Sequence, residues 1–139
     1  MTAAGPLDGS ELTQLLVVSD LDRSRAFYRD VLGATVEREY GGTSCVLRLL
    51  GTWLLLVTAG GPTPDKPSVT FAPPDDPDRV AREMTIRVPD ARASHAALVA
   101  RGAVFLAPLT ESAWEIRGFF RDPDGHLIEI SEARSGPSA

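Results

Sequence analysis

The sequence predicts an α+β fold of two βαβββ modules, with curved mixed sheets around a central cleft, and three observations carry that expectation. The first is internal repetition, which settles architecture when present. Residues 15–36 read LLVVSDLDRSRAFYRDVLGATV and residues 85–105 read TIRVPDARASHAALVARGAVF. In each, an apolar strand leads to an Asp, then to a helical stretch, then to Gly-Ala and a new strand. Asp20 aligns with Asp90 and Ser24 with Ser94, and Gly33 aligns with Gly102 after a helix one residue shorter. The second observation is that three alternating, turn-bounded segments follow each helix. The third is length: 139 residues suit one domain, or two small units sharing a core.

Taken in order, the first module spans residues 11–59. Its opening strand ends at Asp20, whose side chain is placed to cap the following helix. Leu21, Ala26, Phe27, Val31 and Leu32 form an apolar helical stripe, and Gly33 stands where a left-handed residue stops a helix. Strands are expected at 35–40, 44–50 and 52–58, with Gly41-Gly42 and Gly51 as turns. Residues 60–79 hold six prolines, which exclude a helix or central strand and mark an extended connection. The second module, 80–133, repeats the plan. Its first strand is 83–88, and its helix carries the thinner stripe Ala93, Ala97 and Leu98. Strands at 104–107, 114–121 and 126–132 follow, the last two joined by the Asp122-Pro123-Asp124-Gly125 turn. Residues 1–10 and 135–139 read as disordered tails.

Composition narrows the function. Nineteen acidic against fourteen basic residues give a net charge of −5, which argues against nucleic-acid binding. The lone cysteine, Cys45, excludes an internal disulfide and any multi-thiolate zinc site, and it reads as a small buried residue. The apolar runs 46–50 and 53–57 fall well short of the roughly 20 residues of a membrane helix. The first ten residues lack the basic start and apolar block of a signal peptide, so cytoplasmic residence is expected.

Strand alternation sends successive side chains to opposite faces and so groups candidate site residues. With Met84, Ile86, Ile116, Phe120, Ile128 and Ile130 facing the helices, the other face of the second module carries Glu83, Glu115, Glu129, Arg87, Arg117 and Phe119. The equivalent face of the first module carries Leu15, Val17, Trp53, Leu55 and Val57. One apolar and one charged wall suit a small amphipathic ligand. A wet, purely solubilising sheet face is the competing reading, and a dimer interface could also cover the apolar wall.

The run LLVVSDLDRSRAFYRDVLGA, with FFRDPDGHLIEISE in the second half, resembles the vicinal oxygen chelate superfamily of glyoxalases, bleomycin-resistance proteins and extradiol dioxygenases. That resemblance covers about residues 12–132. It implies paired modules whose first and last strands each offer a metal ligand, and a metal acting as Lewis acid. Those positions fall on Thr13, Leu55, Glu83 and Glu129, of which only the two glutamates are good ligands. Gln14 would need a shifted register, and neither histidine occupies a ligand position. His95 reads as exposed on the second helix and His126 as a turn residue. A divalent metal on Glu83 and Glu129 is thus a possible cofactor with an incomplete site.

Two functions follow. One is an isomerase- or lyase-type enzyme acting on an oxygenated metabolite, with Glu83 and Glu129 as acid and base and Arg87 or Arg117 steadying an anion. Closely placed carboxylates push each other's pKa values apart, which brings one towards neutrality. The other is metal-free sequestration of a drug or metabolite. The acidic balance favours a cationic ligand, and Tyr40, Trp53, Trp114 and Phe119 are candidates for stacking on it. Substrate contacts are expected from Thr13, Leu15, Trp53, Leu55, Glu115, Arg117 and Phe119. The resemblance also implies a homodimer, with modules pairing within or between chains.

Overall fold

Asp20 sits in extended backbone and its carboxylate accepts a hydrogen bond from the Arg23 amide at 3.1 Å; Asp90 does the same for Ala93 at 3.0 Å. These two caps start the two helices of the computed structural model, which describes residues 4–136. The first module comprises β1 (Thr13–Val18), α1 (Leu21–Ala26), β2 (Thr35–Tyr40), β3 (Ser44–Leu49) and β4 (Thr52–Thr58). The second comprises β5 (Met84–Arg87), α2 (Ala91–Ala100), β6 (Thr110–Glu111), β7 (Glu115–Arg121) and β8 (Leu127–Ala133).

The sheets have the matching orders β1-β4-β3-β2 and β5-β8-β7-β6. In each, the first and last strands of the module run parallel and the other pairs antiparallel. Both sheets are thus mixed, and they are curved but not closed.

One core joins the modules. Leu16, Val18, Cys45, Leu47, Leu54 and Leu56 of the first sheet cluster with Phe120, Ile128 and Ile130 of the second, bridged by Leu21 and Tyr28. The Phe27 and Phe120 rings lie 6.5 Å apart. The helical side of each sheet is therefore spent on the shared core, and the alternate faces look outward. Cys45 is fully buried, and burial pushes its thiol pKa up, as an inert core cysteine requires.

Four expectations change. The first helix does not continue as an α-helix to Gly33: it passes into a π turn over Phe27–Val31, which brings Tyr28 rather than only the Phe27 stripe fully inside. The strand expected at 104–107 reduces to a single bridge between Phe105 and Phe120, and the edge strand forms instead at Thr110–Glu111. Pro108 cannot donate to a ladder, and Phe105 turns inward to stack on Phe120 at 5.0 Å, which breaks the run. His95 is half-buried, its ring 4.4 Å from that of Phe105. The start of the chain is not featureless, since residues 5–10 form an exposed turn closed by Asp8 on the Gly5 amide. Residues 1–3 and 137–139, within the tails expected to be disordered, lie outside the described residues.

The connection of residues 60–79 is irregular, held by the Gly60–Phe71 and Thr63–Lys66 bridges. Lys66 fastens it, donating to the carbonyls of Gly61 and Val69 and lying 4.6 Å from the Phe71 ring centroid. No helix among the described residues is long and apolar enough to cross a membrane.

Candidate functional site

Register fixes which side chains share the outward faces. In the first sheet Thr13 is opposite Trp53, Leu15 opposite Leu55 and Val17 opposite Val57, with Val46 on the far side of Leu55. Leu15, Val17, Trp53, Leu55 and Val57 are half-buried although nothing of the shared core covers them. In the second sheet the same construction puts Thr85 opposite Glu129, Arg87 opposite Ser131, and Phe119 on the far side of Glu129. One repeat thus builds an aliphatic line where its twin builds a polar one.

Glu129 is the electrostatic centre of the polar face. Its pKa is raised, first by desolvation and then by the negative charges of Glu83 and Glu115, with Arg117 and Arg87 acting in the opposite direction. Glu83, Glu115 and Glu129 therefore gather on one face, as alternation predicts. Glu115 is engaged with Arg117 at 3.0 Å, and the Arg117 guanidinium lies 5.7 Å from the Phe119 ring. Glu83 accepts a hydrogen bond from the Thr85 hydroxyl at 2.6 Å. No ion pair ties Arg87 to a carboxylate among the described residues.

The expected contacts divide between several recesses. Leu15, Val17 and Glu83 line one of about 310 Å³, together with Leu127. Thr13, Trp53 and Tyr40 line a second, of about 320 Å³, on the first sheet. Arg87 and Glu83 border a third, beside Gln14 and Thr52. Trp114 stands apart before β7, 65% exposed, with Gly136 against its ring. The four aromatics expected to stack thus do not converge; only Trp53 and Tyr40 share a groove.

Sequence reasoning missed Arg48. It is the cross-strand neighbour of Trp53, and its guanidinium lies 4.1 Å from the ring centroid, so one face of that indole already holds a cation. Counting Arg48 on the same strand face as Val46 would have found it. His126 is also more than a turn residue. Its Nε2 lies 2.8 Å from the Val17 carbonyl oxygen, which can only accept, so Nε2 carries the proton and ties the second module to the first.

The metal expectation can be tested on the donor set. Glu83 and Glu129 lie on the second sheet, while the corresponding first-sheet positions hold Thr13, exposed, and Leu55, which has no donor atom. Among the described residues, no three His, Cys, Asp or Glu side chains gather as a cation would need. Two carboxylates leave most of a divalent ion's coordination to water. The residues present do not fit a four-ligand chelate.

Comparisons with known proteins agree with this architecture. At the level of solved structures, the chain is similar to the fosfomycin resistance protein FosX from Listeria monocytogenes, with a TM-score of 0.67, 14% identity, and coverage of 91% of this chain and 95% of that one. TioX from Micromonospora sp. ML1 gives a TM-score of 0.67 at 22% identity, covering 90% and 99% of the two chains. Lactoylglutathione lyase from Agrobacterium tumefaciens gives 0.64 at 18% identity, covering 89% and 93%. FosX is also known complexed with Mn(II) and sulfate. A search of curated proteins found no match. These identities establish the fold alone, but the family model for the Glyoxalase/Bleomycin resistance protein/Dioxygenase superfamily matches residues 12–130. With nearly its whole length accounted for, the chain belongs to that superfamily, the vicinal oxygen chelate group.

Proposed function

We propose that the protein binds and sequesters a small organic cation with a flat apolar body. The observation that carries this reading is the contrast between the two outward faces at matched positions. Leu55, beside Leu15 and Val46, stands where its repeat partner is Glu129, beside Thr85 and Phe119. An aliphatic wall offers area to a flat body, and a half-buried carboxylate crowded by Glu83 and Glu115 offers a cation its counter-charge. Membership of a superfamily of small-molecule enzymes and binding proteins fits either a binder or a catalyst, and the missing donor at Leu55 favours the binder.

The cleft is completed by a second copy of the chain. Within one chain the two outward faces remain open, and the half-buried line of Leu15, Leu55 and Val57 gains cover when the polar face of a neighbour closes over it. A homodimer then presents two composite sites, each with one wall from either subunit.

Titration calorimetry with N-methylquinolinium and its uncharged analogue quinoline tests the reading. The cation is expected to bind about tenfold or more tightly than quinoline, a difference of the size expected for a hydrogen-bonded or paired charge. Glu129→Gln should remove the preference, and Leu55→Asp should weaken both ligands. Equal binding of cation and neutral molecule by the wild-type protein overturns the proposal. A second reading, catalysis with Glu129 as proton carrier, has one observation in its favour: its raised pKa. Turnover of an oxygenated substrate that disappears in Glu129→Gln would establish it instead.

A further inference from the structure

The duplication that builds the fold also builds two related recesses along the seam between the modules. One lies where β1 meets Glu83, His126 and Leu127; the other lies where β5 meets Gln14 and Thr52. His126 and Leu127 hold in the second module the places that Thr52 and Trp53 hold in the first, so the two are counterparts under the repeat. They differ in what roofs them. Ala72, Pro74 and Arg79 of the connection, with Val80, line the first recess and not the second, whereas Arg82 borders both.

We propose that the roofed recess is a binding site for a small organic carboxylate with an apolar body, lined in part by Leu15, Val17 and Glu83 of the outward faces and distinguished from them by Arg79 and Arg82. Its volume of about 310 Å³ is at the low end of small-molecule pockets, and its wall is mostly apolar. Arg79 and Arg82 supply two guanidinium groups, and neither has a carboxylate within salt-bridge distance among the described residues. Arg82 donates instead to the neutral side chain of Gln14. Of the acids that precede them along the chain, two have partners of their own. Asp78 pairs with Arg121 at 2.6 Å, and Asp76 accepts from the Asp78 amide at 3.0 Å. Glu83, the acid on the wall, is held by the Thr85 hydroxyl. In a chain of net charge −5, two guanidinium groups free of salt bridges on one recess wall stand out, even with the Glu83 carboxylate beside them. Guanidinium forks match a carboxylate's geometry.

Calorimetry with 4-phenylbutyrate and the uncharged 4-phenylbutyramide tests the site on the whole protein. The acid is expected to bind with one molecule per chain and about tenfold more tightly than the amide. An Arg79→Gln, Arg82→Gln double variant should lose that margin while keeping its circular dichroism spectrum and its binding of N-methylquinolinium. Ala72→Trp, which fills the recess from its roof, should weaken acid and amide alike. Equal affinity of acid and amide, no binding at millimolar concentration, or unchanged acid binding in the double variant each overturns the proposal. Loss of N-methylquinolinium in the double variant also overturns it, because recess and outward faces would then be one site. Failure of N-methylquinolinium to bind the wild-type protein leaves this test intact and bears only on the cation reading.

Discussion

Tyr28 is fully buried and donates its hydroxyl proton to Asp122 Oδ2 at 2.8 Å, linking the π turn of the first module to the β7–β8 turn of the second. Asp122 Oδ1 accepts from the amides of Asp124 and His126, both at 2.9 Å. Tyr28→Phe leaves a buried carboxylate short of one donor and should cost about 1.5–3 kcal/mol, read from the urea midpoint. Burial nevertheless raises the pKa of Asp122, outweighing the lowering effects of Tyr28 and His126. A carboxyl raised on folding favours the folded state while protonated, and that contribution is lost as pH climbs from the ordinary carboxylate value through the raised one. Asp122→Asn, which keeps an acceptor for both amides, should therefore flatten the dependence of unfolding midpoint on pH over the weakly acidic range. An unchanged pH profile would refute this assignment. Tyr28 and Asp122 stand in the two runs that carry the family resemblance, but no local pattern couples residues 94 positions apart.

At the scale of elements, the caps, both helices and seven of the eight strands were legible, because Asp20, Asp90, Gly33 and Gly102 announce the helix ends and alternation announces the strands. The edge strand β6 was not, since two residues carry no periodicity. The π turn was not either, because it obeys neither period used in reading. Two substitutions probe what remains hidden. Gly118 faces the core of β7, and a Cβ there would lie 2.6 Å from Leu109 Cδ2 and 3.0 Å from Phe105 Cδ2. Gly118→Ala should cost about 1–3 kcal/mol through overpacking, seen as a lowered urea midpoint. Leu50 turns β3 into β4 with φ of 51° while 76% exposed. Leu50→Gly relieves a left-handed conformation at a small entropic cost, and a net gain of up to about 1 kcal/mol is expected in thermal unfolding.

For the whole molecule, the repeat made the architecture readable before any coordinates, whereas the arrangement of the two outward faces was not. The sequence places Leu55 and Glu129 at matched positions, but only the shared core shows that the helices occupy the sides between the sheets. The dimer inferred above should sediment at about twice 14.9 kDa, and Leu55→Asp should shift it towards the monomer as it weakens ligand. A wild-type monomer at high concentration would contradict the composite site. The incomplete donor set carries its own expectation: Mn(II) should bind no more tightly than the millimolar range typical of weak oxygen-ligand sites.

The fastening of the modules is lopsided. Asp124 of the second module receives the amide and hydroxyl of Ser19 and the hydroxyl of Ser24, and His126 grips the Val17 carbonyl. The matching places of the first module hold Leu50 and Thr52, and among the described residues neither side chain makes a hydrogen bond to the second module. Thermal breathing of the halves should therefore begin on the Leu50 side. Deuterium should reach the amides flanking Leu50 well before it reaches Ser19, whose proton stays clasped until the molecule opens as a whole.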